Sequence, residues 1–293
     1  MSWKLTNWFK TGILLSVLSG ILISFGYFAG GRGGIIIAGV FAIGLNFFSY
    51  WFSDKIVLKM HHAKEILPEE NPELYEIISR LSQRASIPIP KIFLIPDDSP
   101  NAFATGRNPS HAVVAVNRGL LNLLNRDEIE GVLSHELSHV KNYDILISSV
   151  AATVATAIMM ISSMVKWGAI FGGFSSDDDE GGNIFVALAI AIIAPIVATI
   201  IQMSISRSRE YLADATGAKL SGNPAGLISA LKKLGAYSNK IPPKYANETV
   251  SHMYIINPFS AKGLAKLMST HPPLEERIAH LTEIAQERGQ NVY

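Results

Sequence analysis

The stretch that decides the fold is Asn125-Arg126-Asp127-Glu128-Ile129-Glu130-Gly131-Val132-Leu133-Ser134-His135-Glu136-Leu137-Ser138-His139-Val140. Asn125 can cap the first amides of a helix, and Glu128 three residues later completes a capping box. Ile129, Leu133, Leu137 and Val140 recur at helical spacing and predict the buried stripe. His135 and His139 then stand one turn apart on one face, where both imidazoles can reach a single ion at about 2.0–2.1 Å. Glu136 is offset by one residue, so it can hold a water on the ion's open position but does not share the ligand plane. Gly131, one turn before His135, leaves room on that face for another segment to approach.

A catalytic zinc needs a third protein ligand beside an open position. Downstream, Asp144, Glu210, Asp214, His252 and His271 can supply it. Glu210 lies in Ser206-Arg207-Ser208-Arg209-Glu210-Tyr211-Leu212-Ala213-Asp214, where one uncharged run ends, and the histidine helix leads into another. If those two runs pair as a hairpin, their polar ends are neighbours and Glu210 comes to His135 and His139. Asp214, at i+4 from Glu210, shares its face and could accept a hydrogen bond from a ligating imidazole, fixing its tautomer.

Four such uncharged runs are present: Thr11–Gly31, Gly33–Ser53, Ile145–Val165 and Gly181–Ser206. Each has the roughly 20 residues that cover a hydrocarbon core, which predicts four transmembrane helices. The first is too long, and its exit too glycine-rich, for a cleaved signal peptide. Lys4 and Lys10 precede the first run, Lys55, Lys59 and Lys64 follow the second, and Arg207, Arg209 and Lys219 follow the fourth. The opposite side carries Arg32, Lys166 and the acidic tract Asp177–Glu180, read as a solvated loop. This bias predicts that both termini and both polar segments face the cytoplasm.

Composition agrees: apolar residues are 48% of the 293, and charged residues 17% against about 25% in ordinary soluble domains. The mean hydropathy is +0.26. No cysteine is present, which excludes disulfides, thiolate zinc fingers, iron–sulfur ligation by Cys and a Cys nucleophile. A formal net charge of +1 gives no global attraction to nucleic acid, and no nucleic-acid partner is expected.

The polar segments 54–144 and 207–293 are long enough together for one core. Asn71-Pro72 starts a helix carrying Leu74, Ile77, Ile78 and Leu81, while Lys91–Ile95 and Ala112–Val116 read as strands. Asn223-Pro224 starts a helix ending near Gly235, and Pro273 one ending near Gly289. The long connection Gly235–Ser260 between them is a possible lid or substrate contact. Asn101-Ala102-Phe103-Ala104, leading to Gly106, could be an edge strand that an extended substrate joins by backbone pairing. A tetrahedral oxyanion would need a donor; His271 is the first choice, with Tyr211 and Tyr254 as alternatives. His61, His62, His111 and His280 lack ligand spacing and read as surface or packing residues.

Two N-terminal runs, Asn101–Gly106, the His135–His139 motif with Asp144 following, two further runs, Arg209-Glu210 with Asp214, and Ser269-Thr270-His271-Pro272-Pro273 occur in that order. In this the chain resembles the integral-membrane zinc metalloproteases of the HtpX type, relatives of the CAAX prenyl endopeptidases. The resemblance implies one Zn2+ on His135, His139 and Glu210, with Glu136 as catalytic base. It further implies quality control in a bacterial inner membrane, with misfolded or unfolded membrane polypeptides as substrates on the cytoplasmic side. The expected fold is mainly α with a small β-sheet (α+β): a transmembrane hairpin at 1–53, a zincin-like cytoplasmic domain built from 54–144 and 207–293, and a second hairpin at 145–206. Two other functions compete. A prenyl-peptide endoprotease keeps the fold, but the chain lacks a large enclosing bundle; a zinc transporter is disfavoured because the four runs hold no ionisable residue. The sequence sets no oligomeric state.

Overall fold

A computed structural model describes residues 3–148, 150, 158–160, 162, 163, 207–238, 255 and 272–290. In chain order its elements are α1 (Trp3–Met60), β1 (Lys64–Glu65), α2 (Pro72–Ala85), β2 (Lys91–Ile95), β3 (Ala102–Gly106) and β4 (Ala112–Asn117). There follow α3 (Arg118–Leu123), α4 (Arg126–Lys141), α5 (Arg207–Ser221), α6 (Pro224–Ser238) and α7 (Leu274–Glu287). The protein is mainly helical with a small mixed sheet.

The sheet order is β1-β2-β4-β3. β2 and β4 are parallel, while β1 and β3 pair antiparallel on either side of them. β3 is therefore an edge strand. Side chains alternate between two faces, as the pleat requires. Ile92, Ala102, Ala104, Val114 and Val116 join the main core, whereas Ile95, Phe103, Val113 and Ala115 pack beneath Val57 and Leu58 of α1. Cover on both faces is why β4 reads as an unbroken apolar run.

The main core draws on both polar segments. Leu74, Ile77, Ile78 and Leu81 of α2 and Leu133, Leu137 and Val140 of α4 meet Ala218, Leu227, Leu231 and Leu281 from beyond residue 207. The helix starts are those the sequence predicts: Asn71 Oδ1 accepts from Leu74 N at 3.1 Å with Pro72 at the first turn. Asn125 and Glu128 form the full capping box at 3.0 and 2.9 Å. α6 runs to Ser238, past the expected stop near Gly235. The rest of the Gly235–Ser260 connection, Ile255 apart, lies outside the described residues.

α1 is helical over 58 residues but reverses on itself. Gly31 has a left-handed φ of 56°, a conformation open to glycine without a Cβ penalty. Asn46 Nδ2 donates to Ser19 Oγ at 2.8 Å, although 27 residues of straight helix would put them about 40 Å apart. The limbs touch so closely that a Cβ on Gly34 would fall on the Gly26 carbonyl oxygen. Leu18, Leu22 and Ala42 from the limbs pack with Leu146, Ile147, Val150 and Ile158 of the third apolar run.

Of the four expected spans, one stretch among the described residues has both the length and the apolarity to cross a membrane, Gly31–Phe52, of 22 residues and mean hydropathy 1.9. Phe9–Ser24 is apolar but shorter. The four-span expectation thus stands at a single clear candidate. Most of Ile145–Val165, all of Gly181–Ser206 and the acidic tract Asp177–Glu180 lie outside the described residues.

Candidate metal centre

α4 carries the centre because it is enclosed on nearly every side. Its residues Gly131 to Ser138 are all buried, not only the predicted stripe, and Ile129 is half-buried. Glycines permit the enclosure: a Cβ on Gly131 would run into the backbone at Gly226 and Leu227 of α6, and one on Gly217 of α5 would press on His135. The room expected at Gly131 is filled by α6. Ser134 and Ser138 turn their hydroxyls to the carbonyls of Gly131 and Ser134, at 2.7 and 2.6 Å, so no orphan donor remains there. At the start of α4, buried Glu128 accepts from Ser229 and Lys233 of α6 at 2.6 and 2.7 Å.

His135 Nε2 and His139 Nε2 face each other at 3.2 Å. Glu210, from the first turn of α5, approaches them at 3.6 and 3.5 Å. One atom from each residue can be chosen so that all three lie within 4.8 Å of one another. On the far side of each ring a carboxylate holds Nδ1: Asp214 at 2.8 Å for His135, Asp144 at 3.2 Å for His139. A neutral imidazole donating from Nδ1 presents a lone pair at Nε2. With both rings neutral, two lone pairs and a carboxylate converge on one point, where a proton or a metal ion must lie between them, and two imidazoles with a carboxylate are a donor set that fits zinc.

Each carboxylate is backed by an arginine. Arg277 of α7 grips Asp214 in bidentate fashion, Nη2 to Oδ1 at 2.7 Å and Nε to Oδ2 at 2.9 Å, and its Nη1 donates to the Ile255 carbonyl at 3.3 Å. Arg209, equally buried, reaches Asp144 only at 3.9 Å, and none of its three nitrogens has a hydrogen-bond partner among the described residues. Burial and Arg277 both oppose charge on His135, yet Asp214 and Glu210 outweigh them and lift its pKa to about 9 in the metal-free chain. Burial also opposes charge on Asp214, but Arg277 and His135 pull its pKa down to about 2.

Glu136 lies against the sheet edge: its Oε2 accepts the Ala104 N–H at 3.0 Å. Burial, the largest influence, pushes its pKa up against the pull of the two imidazoles. That bond also fixes which way β3 points. Ala104 and, two residues back, Ala102 aim their backbone groups away from β4. The Ala102 amide and carbonyl and the Ala104 carbonyl have no partner among the described residues. The other two residues of the expected edge segment face the opposite way. The Asn101 carbonyl turns inward to Asn117 N at 2.9 Å, and its side chain accepts from Ile255 N at 3.0 Å. Phe103 buries its ring beside His61, 5.4 Å between centroids. Tyr211, one alternative oxyanion donor, gives its hydroxyl to Glu276 at 2.8 Å. His271, His252 and Tyr254 lie outside the described residues. The residue that sequence reasoning missed is Arg277; in Leu274-Glu275-Glu276-Arg277 it looks like part of a solvated first turn, and only its position after Pro272-Pro273 marks it.

The profile of peptidase family M48 matches residues 68–285. A Protease HtpX homolog of Desulfatibacillum aliphaticivorans is 58% identical over 284 residues, covering 97% of this chain and 91% of that protein. One from Thermococcus kodakarensis is 51% identical over 285 residues, covering 97% and 98%. Among solved structures, the crystal structure of S. mikatae Ste24p shares the fold, with a TM-score of 0.53 at 21% identity, over 95% of this chain and 66% of that one.

Proposed function

This chain belongs to peptidase family M48 and is a metalloprotease, and on that premise we propose that it is a membrane-embedded zinc endopeptidase that cuts unfolded or misfolded membrane polypeptides on the cytoplasmic side. The observation that carries the reading is the convergence of His135, His139 and Glu210 beside a Glu136 that is already tied to the edge strand. Zinc, when bound by His135, His139 and Glu210, would polarise the scissile carbonyl and lower the pKa of a bound water toward about 7.

The chain's own residues do the rest. Asp214 and Asp144 hold the two imidazoles by their Nδ1 nitrogens and so keep both Nε2 lone pairs on the metal side. An extended substrate adds to β3 through the outward groups of Ala102 and Ala104, which lays its backbone along the cleft. Glu136 takes the proton of the attacking water and delivers it to the leaving amine. His271 is the proposed donor to the oxyanion.

Membrane embedding rests on Gly31–Phe52, whose Ile36, Ile37, Val40 and Ile43 are 68%, 73%, 69% and 73% exposed. A soluble protein would bury such a face. With the basic flanks inside, a Cys introduced at Ser176 should react with an impermeant maleimide in intact cells and one at Ser110 should not; the reverse would invert the topology. The activity is tested by Glu136→Gln. It should retain zinc and lose casein hydrolysis by about 10²–10⁴-fold, whereas turnover at the wild-type rate would remove Glu136 as the base.

A further inference from the structure

A cavity of about 450 Å³ shares no residue with the metal centre; Tyr50, Trp51, Asp54 and Lys55 line it from α1, and Arg107 and His111 from the turn between β3 and β4. Both cations lie over aromatic rings. The Arg107 guanidinium carbon is 4.3 Å from the centre of the Trp51 ring, and Lys55 Nζ is 5.2 Å from that of Phe52. Stacking of this kind holds a cation in place and leaves its N–H donors unused. Neither cation has a carboxylate within 4.0 Å or a hydrogen-bond acceptor among the described residues. His111 Nδ1 is engaged with Asn108 Oδ1 at 2.9 Å.

The place of the cavity along α1 identifies its occupant. The apolar stretch Gly31–Phe52 ends at its lip, and Asp54 and Lys55 are the first charged residues after Arg32. Tyr50 and Trp51 stand where amphipathic rings gather at the headgroup level of a bilayer. Arg107 is also fixed relative to the catalytic edge. It follows Gly106, the last residue of β3, whose φ of 131° and contact with the His111 carbonyl exclude a side chain.

We propose that this cavity is a phospholipid headgroup site, in which Arg107 and Lys55 take the phosphate of an anionic glycerophospholipid between them. Two cations against the single carboxylate of Asp54 leave one net positive charge, which a singly charged headgroup balances. The bound lipid pins the end of β3 to the membrane surface, so the substrate strand is held at a set height above the bilayer. The proposal rests on the reading of Gly31–Phe52 as a membrane span.

The test uses the full-length chain in detergent, offered equimolar phosphatidylglycerol and phosphatidylcholine in mixed micelles, with retained lipids counted by native mass spectrometry. One phosphatidylglycerol should be retained in preference to phosphatidylcholine by at least about fivefold, the share of one surface cation. Arg107→Gln should abolish that preference, Arg107→Lys should keep part of it, and Arg32→Gln at the other end of the span should leave it intact. Zinc content reports that each variant is folded; if Arg107→Gln loses zinc, Lys55→Gln decides in the same assay. Equal retention of the two lipids, or undiminished preference in a folded Arg107→Gln, overturns the proposal. Alkaline carbonate extraction keeps the two readings apart: release of the chain from membranes defeats the span, whereas a membrane-retained chain without lipid preference defeats only the headgroup site.

Discussion

The two histidine arms of the centre have the same parts and differ in how tightly they are assembled. On the His135 side, imidazole, Asp214 and Arg277 are closed by bonds of 2.7 to 2.9 Å, and the ring is 3% exposed. On the His139 side the imidazole meets Asp144 at 3.2 Å, Arg209 stands off at 3.9 Å, and the ring is 17% exposed. A closed arm fixes one ligand as part of the core, because a bidentate guanidinium–carboxylate pair allows a single geometry. The looser arm is the more exposed of the two. We read the asymmetry as one rigid ligand that places the metal and one that tolerates exchange at its open side.

Glu210 serves both arms, so Glu210→Ala should have the largest effect. Zinc affinity should fall by more than the roughly 100-fold that loss of an outer partner costs, read as zinc retained after dialysis. Retention equal to wild type would move the third ligand elsewhere. The arms separate at the carboxylates. Asp214→Ala strands a buried Arg277 and should cost about 3–5 kcal/mol in thermal stability as well as zinc. Asp144→Ala should weaken zinc binding or activity by about 10–100-fold with a smaller drop in Tm, since Arg209 is barely engaged with it. Equal Tm losses would erase the difference between the arms.

The arginines should repeat the contrast at lower amplitude. A lysine cannot reproduce a bidentate fork, so Arg277→Lys should cost about 1–3 kcal/mol, and Arg209→Lys less. The arms also differ in pH dependence, compared between metal-free and zinc-loaded chains. In the metal-free chain the folded pKa of His135, about 9, lies above its ordinary 6.5. The stability it contributes is therefore full below pH 6.5 and is lost as pH rises through 9. Asp214 runs the other way, its contribution present above pH 3.8 and lost as pH falls through about 2. Zinc must displace the His135 proton, so its affinity should climb with pH up to about 9. A metal-free Tm that stays flat between pH 6.5 and 9 would contradict the closed arm.

The histidine helix was legible in the sequence because everything that makes it is local: the Asn125 cap, the Glu128 return bond, the i, i+4 histidines and the gap at Gly131. The turn at Gly31 and the strands Lys91–Ile95 and Ala112–Val116 were legible for the same reason. Glu210 and Asp214 could be placed only by assuming that two apolar runs pair, and the structure sets both residues at His135. Arg277 was invisible because its burial is imposed by packing of α7 against α5 and α6, which no spacing within α7 records. Which residues of β3 face outward was not legible for a related reason: alternation shows that a strand has two sides, but the pairing partner decides which one is free.

The central claim is the ligand set, and X-ray absorption at the zinc edge of the full-length chain tests it most directly. The account predicts one zinc per chain with two imidazole nitrogens at about 2.0–2.1 Å, and a third, oxygen ligand that disappears in Glu210→Ala. A wild-type zinc bound by three imidazoles, or an oxygen shell unchanged in Glu210→Ala, would contradict it.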